Sequence, residues 1–430
     1  MKGVTWLSLF ILLGASAARA QAPLAVPDDR NQTLEERVRA LEQQVLALQA
    51  SLEEAKTALA AIGPALAGPG AAQAGGGPPQ APPPPTVPGP GGVALPVYGG
   101  SPLAAKALNP DVSAIGDFIG VIGHNPVQPI PALQMHEMEV GLQAIIDPYA
   151  RGDVFLSFGE SGVNLEEGYM TFSALPGGFV AKVGKMRAAF GQVNLTHNHA
   201  LPTVDRPLVT DNLVGGEDGI SDAGISVSHI IPAPKGLFLE ATAQVFRGDS
   251  EPVFHSSQNS DVSTVGHLRA YHDFSDSWNL DLGVSYARGH NNLGDPFITQ
   301  LYDFDLALRW KPLRRAIYHS FVLRNEFIWS RRDQLPSQQR AFGLYSYGEY
   351  RLNRRWTLGG RYDRSGHAQD AALTDNGFSA VLTYWPSEFS QIRGQYRWTR
   401  YALPGSSSED ANELRFQFLF VLGAHGAHPF

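Results

Sequence analysis

The sequence lacks cysteine and is poor in charged residues and in long apolar runs. The absence of cysteine among 430 residues excludes disulfide bonds, thiol catalysis and thiolate metal sites. Charged residues make up 17% of the chain, whereas about a quarter is usual in soluble domains. Apolar runs never reach the roughly 20 residues that a transmembrane helix needs. Membrane-spanning strands, which are apolar on one face only, explain both features.

The start of the chain has the pattern of an export signal. Lys2 is followed by an apolar segment from Val4 to Leu13 and by the small-x-small sequence Ala18-Arg19-Ala20. This pattern predicts a signal peptide over residues 1–20, with the mature chain beginning at Gln21. The alternative is an anchoring helix, but roughly ten apolar residues are too few to span a bilayer.

Residues 33–62, which follow an N-terminal segment over 21–32, have the spacing of a coiled coil. Thr33 can cap the helix and Gly63-Pro64 ends it. Apolar residues recur at alternating intervals of four and three, at Leu34, Val38, Leu41, Val45, Leu48, Leu52, Ala55, Leu59 and Ile62. We therefore expect a self-associating coiled coil in the periplasm. The alternative is a single amphipathic helix on another protein, and the mixed Val and Leu stripe leaves the oligomer number open.

Residues 63–108 are dominated by Ala, Gly and Pro, including Pro82 to Pro85. Such a composition cannot build a core and predicts a linker that is partly stiffened by polyproline. A plugged transporter would need a folded domain inside a barrel of about 22 strands. Because the linker offers no such domain, we do not expect that kind of transporter.

From Asn109 to the end, the chain alternates apolar and polar residues in segments of about ten, separated by turn residues. We expect a transmembrane barrel over 109–430 with about sixteen antiparallel strands. The predicted strands begin near Asp111, Glu137, Gly152, Leu165, Gly178, Ile220, Leu237, Val262, Ser277, Thr299, Ile317, Ala341, Trp356, Gly377, Phe389 and Ala411. An even number of strands places both barrel termini on one side, which must be the periplasmic side if the coiled coil lies there. Alternate links between the strands are short turns, and most of the others are longer outer loops, which fits this all-β arrangement.

A closed barrel of this size encloses an aqueous lumen lined by the polar face of each strand. Acids lean to the first strands and arginines to the later ones, which predicts a field across the lumen. Simple pairing that supports the wall is the equal alternative for any one residue. The candidate lining residues on the strands are Arg309, Arg324, Arg351, Arg361, Arg393, Arg397, Asp303 and Asp305.

The longest outer link, from Phe190 to Gly219, is the third of the long loops. It is too apolar for a free segment, so we expect it to fold into the lumen and narrow it. Lys185 and Arg187 on the preceding strand, with Arg206 in the loop, would then form a basic constriction that attracts anions. The alternative is a lid packed on the outer rim.

Two stretches resemble a known family. Asn109-Pro110-Asp111-Val112-Ser113 with Gly116-Asp117-Phe118 is similar to the start of porin-like barrels. Gly184-Lys185-Met186-Arg187 with Phe190-Gly191, then His197, His199 and Asp205-Arg206-Pro207, resembles the phosphate-selective porin (porin O/P-like) superfamily. The resemblance implies a signal peptide, a coiled coil and a sixteen-stranded barrel, usually trimeric. That family lines its pore with lysines, and this chain departs from it by having few.

His197 and His199 form a close pair within the third loop, which Asp205 or Asp211 could join. Histidines that pack a loop are the favoured interpretation, and we expect neither a metal nor a cofactor, because zinc needs three or four converging ligands. No Gly-x-Ser-x-Gly elbow occurs, so we expect no enzymatic activity.

The combined interpretation is an outer-membrane porin for passive diffusion of small polar or anionic solutes. The alternative is an outer-membrane anchor or tether that links the barrel to the cell wall through the coiled coil. The expected partners are outer-membrane lipid, the solutes, further copies of the chain in a trimer, and peptidoglycan. Because the formal net charge is -8, no nucleic acid is expected.

Overall fold

The computed structural model describes residues 110–160, 162–405 and 407–423, together with two short strands, β1 (Thr86–Pro88) and β2 (Ala94–Pro96). The predicted signal peptide and coiled coil lie outside the described residues. β1 and β2 fall within the predicted linker and pair with each other antiparallel, a pairing that the composition did not predict.

Sixteen further strands form one closed antiparallel barrel, which confirms the predicted β-barrel. They are β3 (Asp111–His124), β4 (Leu133–Asp147), β5 (Ala150–Gly159), β6 (Gly162–Phe172), β7 (Phe179–Arg187), β8 (Ser221–Ile231), β9 (Leu237–Phe246), β10 (Ser263–Ser275), β11 (Trp278–His290), β12 (Ile298–Trp310), β13 (Ser320–Arg332), β14 (Gln339–Arg351), β15 (Trp356–Gly366), β16 (Thr374–Ser387), β17 (Ser390–Leu403) and β18 (Ser407–Gly423). Each predicted segment corresponds to one of these strands.

The barrel closes where the last strand meets the first. β18 pairs antiparallel with β3, with Phe418 opposite Phe118, so the sheet has no free edge and its backbone groups find partners within it. Short turns join the strands at the end where both barrel termini lie. The longest link at the opposite end, residues 188–220, is called the third loop below. It contains the helix α1 (Leu208–Leu213).

The two faces of the sheet differ as the alternation predicts. On β18, Leu414, Phe416 and Phe418 are about two-fifths exposed, while Glu413 and Arg415, which alternate with them, are buried inside. The outer wall therefore presents an apolar surface and the inner wall a polar one. In the described part of the chain, no helix has the length and apolar character needed to cross a membrane.

One part of the inner wall is apolar rather than polar, which the alternating pattern did not reveal. Val265, Ala287, Leu301, Ile328 and Ala341 are buried on strands β10 to β14. They form one cluster with apolar residues of the third loop, namely Phe190, Val193, Leu201, Val209, Leu213 and Val214. This apolar part of the inner wall is called the apolar seat of the loop below. Packing of the loop against it removes both apolar surfaces from water, which stabilises the position of the loop.

Two β-bulges interrupt the alternation on the first strands. In β4, the partner register passes from Asp117–Glu137 to Phe118–Met135, so His136 is an extra residue. In β6, it passes from Phe155–Glu167 to Leu156–Leu165, so Glu166 is extra. A bulge re-aims the side chain at the inserted position. As a result, Glu166 and Glu167 are both buried although they are neighbours in sequence.

Candidate functional site

The third loop is held against the inner wall at several points. Its backbone amides donate to side chains of three separate strands. The bonds run from Gly191 N to Ser285 Oγ at 3.0 Å, from Val204 N to Gln395 Oε1 at 2.7 Å, and from Leu208 N to Asp363 Oδ1 at 3.3 Å. The loop is therefore a packed part of the barrel interior. Deletion of part of it would leave these wall groups, and the apolar seat, without their partners.

The middle of the loop rests on an arginine wall, which consists of Arg361, Arg393, Arg397 and Arg415 on β15, β17 and β18. Asp205 Oδ2 lies 2.9 Å from Arg361 Nη2, 3.1 Å from Arg397 Nη1 and 3.9 Å from Arg415 Nη1. Burial by itself raises the pKa of the Asp205 carboxyl, but the three guanidinium groups together lower that pKa well below its usual range. Asp205 is therefore a permanent negative charge in this part of the loop.

The arginines of this wall are occupied by protein groups. Arg361 Nε also donates to Asp363 Oδ2 at 2.7 Å. Arg393 donates to the backbone oxygen of Thr203 at 3.2 Å and to Gln391 Oε1 at 3.1 Å. The predicted lining residues Arg361, Arg393 and Arg397 thus face the interior, where they bind the loop.

The other side of the loop rests on an acid wall, which consists of Glu137 and Glu139 on β4 and Glu166 and Glu167 on β6. All four side chains are buried. They surround two loop histidines. His197 Nδ1 lies 2.6 Å from Glu139 Oε2 and 3.0 Å from Glu166 Oε2, and His197 Nε2 lies 3.0 Å from Glu167 Oε2. His199 Nδ1 lies 3.2 Å from Glu137 Oε1.

These carboxylates control the charge of the loop histidine. Burial by itself lowers the pKa of His197, but the hydrogen bonds to Glu139, Glu166 and Glu167 outweigh burial and raise that pKa to about 11. The sequence pointed to the histidine pair but not to its partners. Asp205, one of the two aspartates considered beside the pair, lies instead on the arginine wall.

Asp303 and Asp305, two predicted lining residues, lie beside the start of the third loop together with Glu326. Ser285 Oγ donates to Asp303 Oδ2 at 3.3 Å, and Gln192 Nε2 of the loop donates to Asp305 Oδ1 at 2.6 Å. These acids are buried beneath the loop. Asp303 and Asp305 on β12 and Glu326 on β13 are therefore polar wall residues that the third loop covers.

The three residues of the predicted basic constriction have different environments. The Arg206 guanidinium forms its hydrogen bonds within the loop. It donates to Asn198 Oδ1 at 2.8 Å, Val193 O at 3.0 Å and Thr196 O at 2.7 Å. Burial lowers the pKa of Arg206 to about 10, and the charge of Arg187 adds to this effect.

Arg187 pairs with Glu166 at 3.0 Å. Lys185 lies opposite Ala223, whose neighbour on the same face, Ile225, is exposed on the outer wall. Its ammonium donates to Leu165 O at 2.6 Å. The Lys185 side chain therefore faces outward, contrary to the expectation from the sequence, whereas Arg187 at the end of β7 is buried.

A cavity of about 840 Å³ occupies the short-turn end of the barrel. Its charged lining is mainly basic and comprises Arg324, Arg351, Arg354, Arg355, Arg393, Glu349 and Glu388. Arg324 Nη1 lies 3.3 Å from Glu349 Oε1. Arg309, the remaining predicted residue, pairs with Asp281 at 3.4 Å on the wall. Arg354 and Arg355 lie in the turn between β14 and β15, and their adjacent charges are the signal in the sequence that could have pointed to this cavity.

A second cavity, of about 400 Å³, lies at the long-loop end. Its charged lining is mainly acidic and comprises His136, Glu137, Glu166, Arg187, Glu217 and Asp218. The first cavity is bordered by His199 and the second by Glu137 and Glu166. The acid wall and its histidines therefore lie between an acidic cavity at one end and a basic cavity at the other.

Two solved structures with a similar fold are outer-membrane proteins. The anion-selective porin from Comamonas acidovorans has a TM-score of 0.52 and 10% identity, and the match covers 73% of this chain and 99% of that one. OmpT, an outer-membrane protein of Vibrio cholerae, has a TM-score of 0.50 and 10% identity over 73% of this chain and 97% of its own. At this identity the likeness shows the fold alone.

No protein-family model matches the chain. An uncharacterised protein of Aquifex aeolicus (strain VF5) is 30% identical over 400 residues, and the match covers 78% of this chain and 83% of that protein. The chain therefore belongs to the same family as this Aquifex protein, and it has the closed sixteen-stranded fold of the outer-membrane porins.

Proposed function

We propose that the protein is an outer-membrane porin through which small polar or anionic solutes diffuse passively. The observation that carries this proposal is the polar interior of the closed barrel, with a basic cavity of about 840 Å³ at its short-turn end. Inward-facing charges in a wall of low dielectric concentrate solutes of opposite sign. The apolar outer surface supports a place in the lipid of the outer membrane.

The charge balance of the basic cavity supports a preference for anions at that end. Five arginines and two glutamates line it, which gives a formal net charge of 5 − 2 = +3 from these groups. Only one arginine, Arg324, is paired with a lining glutamate in the described structure. Phosphate is the anion that the family resemblance suggests, and we include it among the solutes to be tested.

Narrowing of the lumen by the third loop is the second part of the proposal. The hydrogen bonds of the third loop to β11, β15 and β17 and its ion pairs with both walls support this narrowing. We also propose that the chain forms trimers, as the family resemblance implies, and that its coiled coil lies in the periplasm.

The test is planar-bilayer recording of the purified full chain. We expect stable channels whose reversal potential in a salt gradient indicates a preference for anions. Deletion of Thr203 to Asn212 should raise the single-channel conductance, and unchanged conductance would rule out the constriction. Heat-modifiable mobility on a gel verifies that the deletion variant still forms a barrel.

A tether is the competing function, and the same preparation separates the two. Liposomes that contain a porin become permeable to small sugars and phosphate. Liposomes that contain only an anchor stay sealed, and that result would favour a link to peptidoglycan over transport.

A further inference from the structure

We propose that Glu139, Glu166, His197 and His199 bind a divalent first-row transition ion, with Zn²⁺ as the representative. This site goes beyond the transport function proposed above and does not depend on it. The ligand atoms of Glu139, Glu166 and His197 all lie within 4.8 Å of one another, and all three residues are buried. The ion would join the third loop to β4 and β6.

The donor set selects the class of ion. Two imidazole nitrogens and two carboxylate oxygens suit zinc and its first-row neighbours, whereas calcium and magnesium prefer oxygen ligands alone. His199 Nδ1 lies 3.8 Å from Glu139 Oε2. The second imidazole is therefore close to the same carboxylate oxygen that contacts His197 Nδ1. Four ligands from three separate segments match the number that zinc commonly takes.

The spacing requires only a small expansion. At zinc–ligand distances of about 2.0–2.2 Å, the atoms of a tetrahedral site are roughly 3.3–3.6 Å apart. The present separations from His197 Nδ1 are 2.6 Å to Glu139 Oε2 and 3.0 Å to Glu166 Oε2. For these two pairs of atoms, shifts of less than about 1 Å would therefore reach the separations that a tetrahedral ion needs.

Neighbouring groups are arranged as metal ligands usually require. A ligating histidine commonly donates its other ring nitrogen to a carboxylate, which fixes the ring. His197 Nε2 lies 3.0 Å from Glu167 Oε2 in that arrangement. The ring of Phe155 packs edge-on against the His197 ring at a centroid distance of 5.5 Å. Glu167 is thus a positioning residue, and Phe155 holds the imidazole plane.

The charge and access of the cluster also favour a cation. Within the described residues, Arg187 is the arginine that forms an ion pair with the acid wall, 3.0 Å from Glu166. The four glutamates and this guanidinium are the groups counted here. Their sum without the histidines is −4 + 1 = −3, so a divalent ion would bring the group to −1. The cavity of about 400 Å³ at the long-loop end borders Glu137 and Glu166, and it provides a path to the cluster from that end.

The test uses the full chain, folded in detergent, stripped with a chelator and titrated with Zn²⁺ by calorimetry. We expect one saturable site per chain, and Co²⁺ should give the strong visible absorption of a four-coordinate site. His197→Ala and Glu139→Gln should each weaken binding at least about 100-fold. Glu167→Gln should weaken it roughly 10- to 100-fold with unchanged stoichiometry, as expected for a positioning group.

His255→Ala is the matched control. His255 lies with Asp249 and Glu251 in a second group of ligand type, but that group is largely exposed. We expect this variant to bind Zn²⁺ as the wild type does. A wild type without a saturable site, or His255→Ala losing the site while His197→Ala keeps it, would overturn the proposal.

X-ray absorption of the Zn²⁺-loaded wild type keeps the proposal testable if a variant fails to fold. The proposed site predicts two imidazole ligands and oxygen for the rest. One imidazole or none would overturn the assignment, because the two other groups of ligand type in the part of the chain that the structure describes, Asp117–His136–Glu137 and Asp249–Glu251–His255, each contain a single histidine.

Discussion

Asp205 Oδ2 lies 2.9 Å from Arg361 Nη2, and this ion pair joins the middle of the third loop to strand β15. On the opposite side, His197 of the same loop meets the carboxylate of Glu139 at 2.6 Å. The loop therefore presents an anion to the arginine wall and imidazoles to the acid wall. A loop turned the other way would place Asp205 beside the acid wall and His197 beside the arginine wall, so electrostatics favour the observed orientation.

Asp205→Asn should release the middle of the loop. The substitution leaves Arg361 and Arg397 buried without their shared counter-ion, and breaking a buried pair costs about 3–5 kcal/mol. Hydrogen exchange measures this release of the loop. Val204 N donates to Gln395 Oε1, so the Val204 amide should exchange faster in Asp205→Asn. Asp410→Asn is the matched control, since Asp410 pairs with Arg400 at 2.8 Å on the exposed surface. Equal protection of Val204 in wild type and Asp205→Asn would contradict the anchoring role of Asp205.

The two anchors of the loop should respond to opposite changes of pH in metal-free protein. The pKa of Asp205 is lowered, so its stabilisation is present above the unfolded value of about 3.9 and is lost only below it. The pKa of His197 is raised to about 11, so its stabilisation is complete below about 6.5 and declines as pH rises toward 11.

Hydrogen exchange, corrected for the intrinsic rate at each pH, checks this pattern. Between about pH 7 and 10, protection should fall around residues 197–199 while it stays constant around residues 203–206. A parallel fall at both places would show that the loop opens as one unit.

Gly191→Ala should disturb the start of the third loop. Gly191 has φ +60°, and an added Cβ would overlap Glu326 Oε1 and approach Asp303. Gly216→Ala is a strict control, because Gly216 has φ +69° but its added Cβ would meet no atom within 4 Å. Both variants carry backbone strain of about 1–2 kcal/mol. Only Gly191→Ala should also increase cleavage of the loop by added protease, and equal cleavage of the two would rule out the overlap.

The opposite charges of the two cavities should make the channel rectify. Ions accumulate or deplete between a basic end and an acidic end depending on the sign of the voltage. The double variant Arg351→Gln and Arg355→Gln removes two positive charges from the basic cavity and should make the current–voltage curve more symmetric. The control is Arg314→Gln and Arg315→Gln, which changes the net charge equally at a neighbouring turn. An equal effect of both double variants would show that the cavity lining is not responsible.

The strands were predictable because their signal is local. A strand with one face toward lipid and one toward the interior must alternate, and the residues from Glu413 to Phe418 do so without interruption. Arg361, Arg393 and Arg397 were placed on the inner wall by the same alternation, because each lies on the polar face of its strand. Lys185 was placed incorrectly because its strand, β7, is short and mixed, and its neighbours Gly184 and Met186 carry little information about faces.

The partners of the loop were not predictable because they depend on three-dimensional neighbours. Asp205 and Arg361 are 156 residues apart, and nothing in either local sequence links them. Alternation would put Glu166 and Glu167 on opposite faces, but the bulge in β6 turns both inward. The apolar seat of the loop was hidden for a similar reason, since Ala287 and Leu301 are ordinary residues of alternating strands until the loop covers them.

The sequence by itself determined that this chain forms a barrel of about sixteen strands and which face of most strands points inward, since these follow from a two-residue period and from turn residues. Only the tertiary structure decided which charges meet. Barrel closure and the path of the third loop bring His197 to the acid wall and Asp205 to the arginine wall. Electrostatic pairing acts through distance in space, and distance along the chain does not encode it.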